Sequence, residues 1–290
     1  MLSKSLPVEQ YGTWSLFISI IGLVLTFSSL NLMYASQIQL TGKSMEHRRS
    51  EIFSVGLFKL GVTLVVFAGF AVYLQMKQIL AGATLWYLLA ALMFRTVNDM
   101  VFGFLRALLL LRRQVLFLAV ESALILAAIG LYSLVLSGGL IGAMRAFIAA
   151  EAIVAALGLY LLRDYLEITG FQFGTVRQYL IIGLPLVPFA FSDLIINSLA
   201  PLLLRLFADI RQVAQYSIAQ KVAMVSTIPM SIINNIYAQY MKRACQEHGN
   251  SGVRSTFVRF LALYVLMAGP IFVGLWLFGR DIIRIVSTEE

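Results

Sequence analysis

Residues 178–223, QYLIIGLPLVPFAFSDLIINSLAPLLLRLFADIRQVAQYSIAQKVA, decide the fold class. The stretch is apolar for most of its length, yet it holds Pro185, Pro188 and Pro201, half of the six prolines in the chain. It also carries Asp193, Asn197 and Lys221 where hydrocarbon is expected. A proline removes a backbone donor and kinks a helix. Lipid tolerates the freed carbonyls only where protein or a water-filled cavity satisfies them. Kinked helices with polar groups near the bilayer midplane are how transporters line a pathway. The stretch therefore points to passage through a membrane.

Composition agrees. The chain is 60% hydrophobic and 12% charged, with mean hydropathy +0.87. Soluble domains carry about twice that charge. The fold class expected is an all-α polytopic membrane protein. About eight stretches reach the length of roughly 20 residues that a spanning helix needs. They cover roughly 11–33, 52–75, 83–105, 115–136, 140–162, 178–204, 212–238 and 255–278. Gly138-Gly139 reads as a tight turn between the fourth and fifth. No polar segment is long enough to build a soluble core.

The net charge of +8 does not mark a nucleic-acid binder, because no basic domain stands apart from the membrane segments. It has a simpler source in the positive-inside rule. The connections 34–51, 106–114, 163–177 and 239–254, with Arg259, hold twelve Lys and Arg, against six on the other side. That bias places the first set in the cytoplasm. Cys245 is the only cysteine, and His47 and His248 are the only histidines. No disulfide, metal site or cofactor is expected. The N-terminus has one early lysine and runs into a full-length span, unlike a cleaved signal peptide.

Ionisable residues inside the spans are candidates for function. Arg95 and Asp99 are four apart and share a helix face. Arg95 lies roughly 18 Å deep at 1.5 Å per residue. It reads either as half of a neutralising pair or as a cavity cation tuned by Asp99, with Asn98 pointing off that face. Lys221 is roughly 14 Å deep, far for a snorkelling lysine. Lys59 divides between snorkelling and a cavity role, and Arg145 reads as snorkelling. Among acids, Asp193 and Glu151 are deepest after Asp99. A carboxylate is costly to keep charged in hydrocarbon, so each is a candidate to take up a proton or sodium. Each could equally be a hydrogen-bonded packing group. Asn197 is one turn from Asp193, on the same face. The prolines Pro185, Pro188 and Pro201 mark helix kinks.

Three local patterns resemble the polysaccharide-transporter branch of the multidrug/oligosaccharidyl-lipid/polysaccharide flippase superfamily. Tyr11-Gly12-Thr13-Trp14-Ser15 looks like the YG-x-W/Y-S run that opens that family's second helix. Residues 182–188, IGLPLVP, are similar to its GLPLVP run in the seventh. Residues 216–223, YSIAQKVA, match its YS-x-A-x-K-x-A pattern in the eighth. Leu105-Arg106-Ala107 fits the end of its fourth helix. One departure is Ala200-Pro201, where many relatives carry Asp-Arg.

The resemblance implies part of a two-lobe fold of 12–14 helices, working by alternating access in a bacterial inner membrane. Residues 1–162 would be a partial first lobe, 163–177 a cytoplasmic linker, and 178–290 a partial second lobe. With only ten residues before the first motif, the chain is expected to lack helices of the complete fold. The substrate implied is an undecaprenyl-pyrophosphate-linked oligosaccharide, moved between leaflets for surface polysaccharide synthesis. Arg95, Lys221 and Lys59 would face its pyrophosphate. Asp193, Asn197, Asp99 and Glu151 would supply coupling or cavity polarity, with H+ or Na+ as the driving ion. Two alternatives stay open. One is a multidrug or ion antiporter of the same fold. The other is a membrane polymerase or glycosyltransferase, which the absence of a long extramembrane loop with acidic or histidine clusters argues against.

Overall fold

The computed structural model describes residues 6–40, 45–77, 82–132, 139–167, 170–188, 199–224 and 228–286. Among these the chain is all helical. The helices are α1 Val8–Ser29, α2 Leu32–Gln39, α3 Met45–Met76, α4 Ala83–Ala107, α5 Leu111–Leu131, α6 Gly139–Leu162, α7 Phe173–Gly183, α8 Ala200–Phe207, α9 Ile210–Met224 and α10 Ile228–Val286. Six helical stretches are long and apolar enough to cross a membrane: Val8–Ser29, His47–Met76, Ala83–Ala107, Leu111–Leu131, Gly139–Tyr165 and Glu247–Gly279.

Local sequence explains the breaks. Leu30 and Asn31 take left-handed φ of 43° and 51° and separate α1 from α2. Residues 34–39 therefore belong to a short helix, with Ala35 and Ser36 buried, although they read as part of a connection. Gly139 starts α6 with φ 64°; Gly138 lies outside the described residues. Of the expected sixth span the described residues hold α7, a 3-10 turn at Leu184–Leu186 and α8; residues 189–198 lie outside them. Pro185 sits in that turn and Pro201 in the first turn of α8. Neither residue can donate to a preceding carbonyl. The expected seventh span is divided between α9 and the start of α10. The expected connection 239–254 is helical apart from Gly249, whose φ 59° and ψ −146° break α10 in two.

The described residues form two compact units, Met1–Val213 and Ala214–Glu290. In the first, α4 is the hub and packs on α1, α2, α3, α5 and α6. Its core joins Leu32, Ile52, Phe104, Phe117, Val154 and Tyr179, from six helices. Burying such side chains contributes roughly 1.5–3 kcal/mol each. At the other end, Trp14 stacks on Phe17, with centroids 5.7 Å apart, and meets Phe147 edge-on at 5.6 Å. These contacts tie α1 to α6. The segment 163–177 lies within the first unit: its Arg163–Tyr165 turn packs on α3 and α6. In the second unit the apolar face of α10 beyond Gly249 is open, with Phe257, Leu266, Phe272 and Trp276 exposed.

Candidate functional site

Four helices bring five charged side chains together in the middle of the first unit. Lys59 is the sole charged residue between Ile52 and Met76 and is fully buried on α3. Its ammonium donates to the Asp99 carboxylate on α4. One turn back on α4, Arg95 Nη1 donates to Glu121 on α5 and, at 3.1 Å, to Oε1 of Glu151 on α6. Asn98 Nδ2 donates to the same Glu151 carboxylate and, at 3.1 Å, to its backbone carbonyl. The Oδ1 of Asn98 is buried and accepts from no group among the described residues.

The arrangement follows from electrostatics. An isolated charge in a medium this apolar is prohibitively costly, so each must be paired. Lys59 and Glu151 have side chains 0% exposed, whereas those of Arg95 and Asp99 are 37% and 44% exposed. The cluster thus has a dry back and an open front, and α4 carries the front. Its formal charges do not cancel: three acids face two bases.

The structure narrows two readings that the sequence left open. Arg95 and Asp99 do share a face, but they are not each other's partners. Arg95 is held by Glu121 and Glu151, and Asp99 by Lys59, because neighbouring helices offer counter-charges in better geometry than one turn of the same helix. Lys59 does not snorkel: it is sealed and paired. Asn98 joins the cluster from its off-face position. Arg145 is exposed and donates to the Tyr87 hydroxyl at 3.1 Å. Glu121 is the residue sequence reasoning missed. Its signal was present, since it is the only charged residue in the run 115–136.

The other candidates lie elsewhere. Lys221 is exposed on α9, in the second unit. Asp193 and Asn197 fall outside the described residues. Pro188 is exposed, and Pro201 is buried.

An apolar cleft of about 580 Å³ opens between α1, α3 and α8. Phe27, Val65, Phe70, Leu202 and Leu206 line it, and Gly69 widens it. At the other end of the unit, polar contacts fasten the 163–177 segment. Arg49 reaches the Asp164 carbonyl at 3.1 Å and Glu167 at 3.0 Å. Arg113 reaches the Leu161 carbonyl at 2.8 Å and Asp164 at 3.3 Å. The buried Tyr179 hydroxyl donates to Glu51 at 2.9 Å.

Two of the sequence patterns find a structural reason in glycine. A Cβ on Gly12 would lie 2.5 Å from the Ile210 carbonyl oxygen, and one on Gly183 would lie 2.4 Å from that of Leu30. Both glycines let a helix touch another segment's backbone.

No protein-family profile matches the chain, and no curated protein sequence matches it. Among solved structures, one described as the inward-facing conformation of a multidrug resistance MATE family transporter of the MOP superfamily superposes with a TM-score of 0.65. The match covers 95% of this chain and 67% of that one, at 16% identity. The chain therefore shares its fold with about two thirds of that protein.

Proposed function

We propose that this chain belongs to an alternating-access transporter that moves a lipid-linked oligosaccharide between leaflets, driven by H+ or Na+. The buried charge cluster of α3–α6 carries the transport reading. Five charged groups inside membrane helices are costly to keep unless they act. One acid in excess gives the cluster a place for a proton or a small cation, and the unpaired Asn98 Oδ1 supplies a further acceptor. Glu151 is the coupling residue of this reading, because Arg95 and Asn98 both depend on its carboxylate.

The oligosaccharide-lipid substrate rests on the three sequence patterns. The apolar cleft beside α1 offers surface compatible with a lipid tail. Arg95 and Lys59 enter this reading as partners of the coupling acids, since both already have carboxylates. Lys221, exposed on α9, is the cation this reading sets toward a pyrophosphate, on the strength of the YS-x-A-x-K-x-A pattern. A second reading, a multidrug antiporter for organic cations, is favoured by the acid excess and by the solved structure it resembles.

Purified protein in vesicles tests both. The expected result is gradient-dependent movement of a defined polyprenyl-pyrophosphate sugar, with Glu151→Gln still inserted but insensitive to the gradient. Efflux of cationic dyes without sugar-lipid transport would replace the first reading by the second.

A further inference from the structure

The two faces of α7 differ in kind. One is docked on protein. Val176 and Tyr179 are 0% exposed, the Tyr179 hydroxyl donates to Glu51, and Gly183 closes on the Leu30 carbonyl. The opposite stripe runs Phe173, Arg177, Ile181 and, in the turn that follows, Leu184, and all four are exposed. Residues three or four apart share one side of a helix. Phe173 and Ile181 are each 62% exposed, so Arg177 stands in an apolar outer stripe.

The start of α7 lies level with the edge of the hydrocarbon. Its Gln172 amide donates to Ser54 of α3 at 3.1 Å. Ser54 follows closely on Ile52, where the apolar run of α3 begins. Gln172 is extended, with φ −112° and ψ 94°. Side chains on either side of an extended residue point the same way, so Phe171 and Phe173 form an exposed pair. Aromatic rings at such a level sit among lipid headgroups.

Other arginines of this connection are matched within the protein. Arg49 meets Glu167, and Arg113 meets Asp164. Arg163 lies 3.7 Å from Asp164 and 4.5 Å from the centroid of the Tyr160 ring. Arg177 forms no ion pair among the described residues. A charge beside hydrocarbon needs a counter-charge, and here the bilayer is what can bring one.

We propose that Arg177, framed by Phe171 and Phe173, seats the headgroup of an anionic phospholipid. The guanidinium fork takes two phosphate oxygens, the two rings lie among the headgroups, and the acyl chains run along Ile181 and Leu184. An anionic headgroup fits better than a zwitterionic one, because Asp164 and Glu167 already face arginines and do not call in an ammonium. Since α7 is fixed from its other face, binding orders little besides the arginine and the lipid. The site depends on which lipid borders α7 and not on what the protein carries.

Native mass spectrometry of the full chain, released from nanodiscs of phosphatidylglycerol and phosphatidylcholine, tests it. The wild type is expected to keep a phosphatidylglycerol through collisional activation that strips phosphatidylcholine. Arg177→Gln should lose that lipid, and Gln178→Ala should keep it. Arg177→Lys should keep part, because a point charge survives where the fork does not. These side chains are exposed, so all the variants should insert. In a Cys245→Ser background in the same nanodiscs, Phe171→Cys should react with a charged maleimide several-fold more slowly than Asn250→Cys. Equal retention by the wild type and Arg177→Gln overturns the proposal, and so does equal retention of the two lipids. A Phe171→Cys that reacts as fast as Asn250→Cys overturns it too: the rings would then stand in water, on a surface suited to a soluble protein.

Discussion

Glu121 and Glu151, on neighbouring helices, both accept from one nitrogen of Arg95. The guanidinium thus bridges α5 and α6. Removing it would leave two carboxylates facing each other away from water. Arg95→Gln is therefore expected to destabilise the protein by about 3–5 kcal/mol. Arg95→Gln combined with Glu121→Gln should recover part of that loss. Thermal unfolding in detergent of the four proteins in this cycle gives the coupling. Additive losses would show that Arg95 and Glu121 do not act together.

The Lys59–Asp99 pair should respond asymmetrically. Lys59 is fully buried and Asp99 is nearly half exposed. Asp99→Asn strands an ammonium that cannot reach water. Lys59→Met leaves a carboxylate that can. The expectation is a loss of about 3–5 kcal/mol for Asp99→Asn and clearly less for Lys59→Met, read from the same melting assay. Equal losses would mean that the ammonium finds another partner.

Tyr179→Phe removes one hydroxyl and leaves the buried Glu51 carboxylate short of a donor. A loss of about 1–3 kcal/mol is expected. Because this bond fastens α7, limited proteolysis at Arg177 should quicken in the variant. An unchanged cleavage rate would show that packing alone holds the helix.

Gly183→Ala places a methyl against the Leu30 carbonyl, where backbone cannot retreat as a side chain can. The left-handed Leu30-Asn31 pair makes that turn stiffer still. A loss of about 1–3 kcal/mol is expected. At Gly69, where a Cβ would meet nothing within 4 Å, the same substitution should be neutral or better. Melting temperatures of the two variants make the comparison.

The twelve-to-six charge bias makes a topological prediction. In the Cys245→Ser background, a cysteine at Asn250 should resist membrane-impermeant thiol reagents in intact cells, and one at Gln212 should react. Both positions are exposed, so reversal of that pattern would invert the assigned orientation.

Much of the fold was legible because hydrocarbon sets the length and content of a spanning helix. The six spanning helices fall where apolar runs place them, and Pro185 marks the 3-10 turn that ends α7. The partners inside the site were not legible in the same way. Spacing along α4 shows that Arg95 and Asp99 share a face. It carries no information about which neighbouring helix brings Glu121, Glu151 or Lys59 to that face. Those partners lie 26, 56 and 40 residues away. The helix Leu32–Gln39 was hidden for a related reason. It is short, and its burial comes from packing on α4 rather than from any periodicity of its own.

The uneven number of acids and bases also gives the membrane voltage a grip on the protein. A unit charge that crosses the whole field exchanges roughly 2.3 kcal/mol per 100 mV. A cluster with one uncancelled charge feels a fraction of that whenever helices carry it along the bilayer normal, and a neutral cluster feels none. In the proposed reading, uptake or release of one proton or small cation by the cluster therefore switches the sensitivity itself. On the proposed transport reading, substrate movement should be electrically silent in one half of the cycle and current-carrying in the other, a division visible in solid-supported membrane recordings.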